Sequence, residues 1–124
     1  MIVGNKTDNK IQIRLANHAD RQTIYSMRHS VYATELSQHA ENEELILTDS
    51  LDEFNVYIVA EIDDKVVGFI SITPPDKNTY SIDKYLSRDS LPFAIDDSTF
   101  EIRILTIDKN CRGSRIAALL MYAS

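Results

Sequence analysis

The sequence predicts a mixed α/β domain of the α+β kind, and three observations predict it. Residues 11–15, 56–62, 65–73 and 100–107 are rich in Ile, Val, Phe and Thr and suit strands, whose side chains alternate between faces. Between the first two of these runs, Ile24, Met27, Val31 and Leu36 recur at helical spacing. The last run passes through a polar loop, Asp108 to Ser114, into the helix-forming stretch Ile116 to Tyr122. At 124 residues and 44% hydrophobic content, the chain suits one core and is too short for two.

Charge and cysteine content narrow the function classes. Nineteen acidic residues against 13 basic ones give a formal charge of -6, with no run of Lys or Arg, which argues against a nucleic-acid partner. The single cysteine excludes an intrachain disulfide, so a reducing compartment is the natural setting. MIVGNKTDNK lacks the apolar centre of a signal peptide, and no stretch approaches a membrane span. The expectation is a soluble cytoplasmic protein that does not engage a membrane.

Taken in order, residues 1–10 are polar and expected to be flexible, and one domain runs from 11 to 124. IQIRL, Ile11 to Leu15, alternates as a first strand. Asn17 is a credible N-cap with Asp20 three residues on, which opens a helix from about His18 to Leu36. On that helix Arg28, Tyr32 and Glu35 share a side and read as a solvated pairing face. Ser37 to Phe54 is acidic, the usual mark of a solvated face, with Leu45 to Leu47 as a helical turn or a buried clip. Val56–Ile62 and Lys65–Thr73 form a hairpin about Asp63 and Asp64. Within it Gly68 marks a bulge, a close ligand approach or a tolerated interior glycine. Pro74 and Pro75 end the strand, because proline cannot donate to the ladder. Asp76 to Ser98 is irregular, with a helical turn and with Tyr80, Tyr85, Leu86, Leu91 and Phe93 as anchors. Its length makes it a candidate for substrate contacts.

The last strand, loop and helix carry the chemistry. A helix start offers unpaired N–H groups and about half a positive charge, so an anion suits it. Arg112 adds a cation at the loop, and Gly113 permits close backbone approach. The alternative is an ordinary β-α connection. This segment resembles the cofactor motif Q/R-x-x-G-x-G/A of the GNAT acyltransferase superfamily, in Arg112, Gly113, Ser114, Arg115, Ile116 and Ala117. Arg115 takes the place of the first motif glycine. There it either obstructs backbone approach to a phosphate or reaches one with its guanidinium.

The resemblance implies roles upstream. Glu101, six residues before Ile107, matches the general-base glutamate of histone-type members, and the Leu105 amide matches the group that polarises the thioester carbonyl. Strand periodicity places Glu101, Arg103, Leu105 and Ile107 on one face, with Glu101 and Arg103 roughly 7 Å apart. That pair is either a structural ion pair or a polar cluster at the transfer centre. RHSVYATEL, from Arg28 to Leu36, is similar to the first helix of the autoinducer-synthase and N-acyl amino acid synthase branch, which makes Arg28, Tyr32 and Arg103 substrate-binding candidates. That branch also places an acidic pair before its second strand, matched by Asp49 and Asp52. Its arginine near the end of the third strand is absent from GFISITPP, where Ser71 stands nearby.

The resemblance as a whole implies a GNAT-type fold, a mostly antiparallel mixed sheet flanked by helices. It also implies direct transfer of an acetyl or longer acyl group to a small-molecule or peptide amine. The donor would be acetyl-CoA, another acyl-CoA or an acyl-carrier-protein thioester. By charge, the acidic segment 37–54 would present the amine with a negative surface. The family fold normally continues with a fifth strand, a helix and two more strands after the point where this chain stops. The expectation is therefore a fragment, a chain completed by a partner subunit or by homo-oligomerisation, or a non-catalytic module that binds an acyl thioester or a protein. His18, His29 and His39 share no metal-ligand spacing with one another or with Cys111, so no metal is expected. Cys111 beside Arg112 lacks a histidine partner, and Tyr122 reads as helix packing ahead of a leaving-thiolate acid.

Overall fold

The computed structural model describes residues 10–48 and 50–124. The expectation of a flexible start therefore falls almost wholly outside the described residues, as does Asp49. Four strands, β1 (Ile11–Leu15), β2 (Val56–Ile62), β3 (Lys65–Thr73) and β4 (Glu101–Ile107), form one antiparallel sheet in the order β1-β2-β3-β4. Helix α1 (Asp20–Arg28) continues into a π-helix (His29–Glu35), and α2 (Ile116–Ala123) follows β4. Asp63 and Asp64 both have positive φ, 51° and 62°, which a two-residue hairpin with right-twisted strands demands and aspartate tolerates. Among the described residues no helix is long and apolar enough to cross a membrane.

The sheet buries both faces. Tyr57, Val59 and Phe69 pack with Ile24 of α1, and the Tyr57 and Phe69 rings meet edge to face at 5.9 Å. On the other side Ile58, Ala60, Val67 and Ile70 pack with Ile116 and Leu120 of α2. Full burial of one such side chain contributes roughly 1.5–3 kcal/mol, so the sheet core outweighs any surface pair. Gly68 is fixed by this packing: a Cβ there would lie 2.9 Å from Ile107 Cδ1 and 3.0 Å from the Thr106 carbonyl oxygen. The bulge beside it comes from Val67, the extra residue between the pairs Ala60↔Gly68 and Glu61↔Val66.

The first helix starts at Asp20 with Ala19 as its N-cap, two residues beyond the expected cap Asn17, which instead closes the turn leading into the helix. The Asp20 amide donates to Asn17 Oδ1 at 3.0 Å and the Asn17 amide to Asp20 Oδ2 at 2.7 Å, a reciprocal box that satisfies two N-terminal donors. Its second half departs from the α period. The Leu36 amide donates to the Val31 carbonyl, five residues back, and the wider turn delivers Leu36 to solvent where the apolar stripe predicted core. Among the described residues, segment 37–54 contains no helix. Leu45, at φ 56°, is exposed, while the Leu47 amide clips the segment to the Tyr25 carbonyl of α1. Segment 76–98 holds three short 3-10 turns, Pro75–Lys77, Ser81–Lys84 and Arg88–Ser90. Of its expected anchors only Tyr80 is buried, with its hydroxyl donating to the Thr99 carbonyl at 2.7 Å, whereas Tyr85, Leu86 and Phe93 are exposed. Tyr122 is 93% exposed, which overturns its reading as helix packing.

Candidate functional site

The site is built around an irregularity in β4. Between the pairs Phe69↔Thr106 and Ser71↔Arg103, β3 supplies one residue, Ile70, against Ile104 and Leu105. Ile104 has φ 56°, a conformation that a β-branched side chain adopts only when its surroundings impose it. The extra residue breaks the period of two. Glu101 and Arg103 lie opposite Thr73 and Ser71, and Ile104 joins the α1-side cluster. Leu105 and Ile107 turn to the α2-side cluster instead. The four residues expected on one face are thus divided between two.

Two clefts open on either side of this point. The first, about 380 Å³, is lined by Arg28, Tyr32, Lys84, Arg103 and parts of segments 38–48 and 81–85. It brings together all three residues assigned by resemblance to substrate binding. The second, about 240 Å³, runs past Tyr32, Leu105, Thr106 and Ile107 to Arg112. Tyr32 belongs to both. Its hydroxyl lies 3.0 Å from Thr106 Oγ1 and 3.4 Å from the Leu105 carbonyl oxygen, which fixes the ring at the junction.

Arg28 is not on a solvated face. It is 4% exposed, and its Nη1 donates to Asp52 Oδ1 at 2.7 Å, an oxygen that also accepts from the Tyr57 hydroxyl at 2.6 Å. Burial, with the Asp52 carboxylate beside it, raises the Tyr57 phenol above its ordinary range, so it stays a donor to that carboxylate. Arg21 holds the turn that carries Asp52, donating to the Asp52 carbonyl at 2.6 Å and the Asn55 carbonyl at 2.9 Å. The sequence hinted at Asp52 only as one of an acidic pair.

Glu101 is an anchor of the neighbouring turn. Oε1 accepts from the Ser81 amide at 2.7 Å, and Oε2 from the Ser81 hydroxyl at 3.1 Å and the Ile82 amide at 3.0 Å. Through Ser81 it shapes the wall of the first cleft. Lys84, Gln38 and His39 of that wall carried no pattern by which sequence could have singled them out.

At the loop, Arg112 makes a two-pronged pair with Glu35, at 2.6 and 2.8 Å, while its Nε donates to the Ile107 carbonyl at 3.1 Å. The Arg112 hydrogen bond holds the Glu35 carboxyl below its usual range. Gly113 has φ 81°, and a Cβ built there would meet nothing within 4 Å. Ser114 Oγ donates to the Cys111 carbonyl at 2.7 Å and faces the Ile116 amide at 3.4 Å. Arg115 takes the N-cap position of α2, the Ile116 side chain enters the core and Ala117 is half-buried. An open glycine loop, a helix start and flanking arginines suit a pyrophosphate arm, so the residues present fit an acyl-CoA.

Cys111 and His29 have structural surroundings. Burial, and next the Asp108 carboxylate, push the Cys111 thiol up, away from the thiolate a nucleophile needs. His29 is buried, and its Nε2 accepts from the Asn42 amide at 3.0 Å.

Residues 21–124 match the family model described as the acetyltransferase (GNAT) family. The chain is also similar to the crystal structure of an acetyltransferase of the GNAT family from Staphylococcus aureus Mu50, with 14% identity and a TM-score of 0.60. That likeness is one of fold, and it covers 92% of this chain and 63% of that one, so the chain spans less than two thirds of that structure's length. No curated protein matches.

Proposed function

The chain belongs to the GNAT acetyltransferase family, and on that premise we propose that it moves an acetyl or longer acyl group from a CoA or carrier-protein thioester to an amine. The observation that carries this reading is the meeting of two clefts at Tyr32, one leading to the glycine loop and the other to Arg28 and Arg103. A thioester and an amine entering from opposite sides would be held adjacent, and such proximity supplies much of a transfer rate.

The thioester, when bound, supplies the activated acyl carbon. Residues 112–117 hold its phosphates, with Arg112 leaving Glu35 to do so, and Leu105 offers its amide to the carbonyl oxygen from the bulge. Glu101 takes the amine proton through a water. A carboxylate has about four acceptor positions, and three of those on Glu101 are filled, which leaves one on Oε1. The same three bonds favour a second reading, a module that binds an acyl thioester without turning it over.

Calorimetric titration with CoA and acetyl-CoA, followed by a CoA-release assay over a panel of amines, tests both. Binding that Arg112→Ala weakens, with CoA release that Glu101→Gln abolishes, supports the enzyme. Binding without release supports the module, and no binding by the folded chain rejects both.

A further inference from the structure

An aliphatic amine is an ammonium at neutral pH, and its nitrogen sheds two protons on the way to an amide. The second leaves as the N–C bond forms, and Glu101 takes it through a water. The first must leave before attack, because an ammonium has no lone pair. Among the described residues, no carboxylate lines the first cleft. Segment 37–54, acidic in sequence, contributes Gln38, His39, Leu47 and Thr48 to the wall, so the negative surface expected for an amine is not what the described lining presents. The titratable groups of that lining are Arg28, Tyr32, Lys84, Tyr85, Arg103 and His39. Of these types of side chain, histidine is the one that takes up a proton near neutral pH.

The backbone puts His39 where an entering amine passes. The Tyr32 carbonyl accepts from the Gln38 amide at 2.7 Å and from the His39 amide at 3.0 Å, with Ser37, at φ 54°, in the reversal between them. His39 is thereby tied to the residue at which the two clefts meet. It is exposed, and its imidazole makes no hydrogen bond or ion pair with the described residues, unlike that of His29, whose Nε2 is taken by the Asn42 amide. Glu101 is the opposite case, with three acceptor positions already bonded to Ser81 and Ile82.

We propose that His39 is a second base of the reaction, the one that strips the entering ammonium. This deepens the acyl-transfer reading and rests on it. A ring nitrogen of His39 takes the first proton, and the freed lone pair attacks the thioester carbon. The N–C bond forms, the C–S bond breaks, and the second proton goes to Glu101 through its water. The thiolate that leaves is protonated from solvent, and the exposed imidazolium returns its proton there.

The test is the pH profile of CoA release from acetyl-CoA with an accepted amine, in the unaltered protein and in His39→Gln. Any residue but proline keeps the amide bond to Tyr32, and the side chain is exposed, so the variant is expected to fold. His39→Gln should lower kcat/KM about 100-fold at neutral pH, the ordinary contribution of a proton acceptor, and leave CoA affinity unmoved. The deficit should shrink as pH rises toward the ionisation of the amine itself, about 10.4 for a lysine-like one. In His39→Ala, imidazole added to the buffer should restore the rate severalfold. An unchanged rate, or a loss of equal size at every pH that imidazole does not relieve, overturns the proposal and leaves acyl transfer standing. Absence of release from the unaltered protein with every amine removes acyl transfer and this proposal with it.

Discussion

Arg28 and Asp52 form an ion pair with both partners nearly out of water, and removing one takes a buried counter-charge from the other. Asp52→Asn is therefore expected to cost about 3–5 kcal/mol, read as a lower urea midpoint at unchanged slope. Replacing both, as Arg28→Met with Asp52→Leu, should restore only part of the stability, because the buried Tyr57 hydroxyl loses its acceptor, while abolishing acceptor binding, because the floor of the first cleft goes with Arg28. A stability loss in the double variant as large as in the single one would show that the pair is not the unit. Glu35 and Arg112 behave differently, since both are exposed. Glu35 competes with a ligand phosphate for the same guanidinium. Glu35→Gln is expected to tighten CoA binding severalfold in a calorimetric titration, and unchanged or weaker binding would place Arg112 outside the phosphate site. Neither pair was legible beforehand. The partners are 24 and 77 residues apart, and a charge on a helix face reads as solvated until the segment that meets it is known.

The strands and the hairpin were readable because alternation and turn chemistry are local. Ile11–Leu15, Val56–Ile62 and Lys65–Thr73 fall where their apolar runs indicate, with Asp63 and Asp64 between the last two. What escaped was imposed by packing across elements. EIRILTI contains no glycine or asparagine to announce a positive φ at Ile104, so β4 reads as regular and its faces are misassigned after Arg103. HSVYATE fits an α period as well as the π-helix it forms, and the exchange surfaces only in the exposure of Leu36. Gly68 could be noticed but not explained, since its reason lies in Ile107, Thr106 and Ile116. Gly68→Ala should cost about 1–3 kcal/mol in urea unfolding, because the Thr106 carbonyl it meets is backbone and cannot step aside. A loss confined to a few tenths of a kcal/mol would mean that β4 and α2 shift freely. Asn17→Ala, which removes the bond from the first amide of α1 to Asn17 Oδ1, is expected to cost about 1 kcal/mol in the same assay.

At the scale of the molecule, the acid limb of stability follows from carboxylates tied to arginines. Asp20, Asp83 and Glu35 are each held below their ordinary range, chiefly by hydrogen bonds from Arg14, Arg88 and Arg112. A carboxyl lowered in the folded state contributes stability that is present above its unfolded value and is lost as pH falls through its folded value. The arginine partners stay charged throughout, so the loss belongs to the carboxylates alone. Urea midpoints are therefore expected to be flat from about pH 6 to 8 and to fall below about pH 4. Asp20 is the most enclosed of the three, and Arg14 also bridges it to Glu61 across β1 and β2 at 2.9 Å. Arg14→Met should lower the neutral midpoint and make the acid limb shallower, since Asp20 then titrates nearer its unfolded value. A parallel shift, with the acid limb unchanged in steepness, would show that Arg14 stabilises the sheet through its packed methylenes and not through its charge.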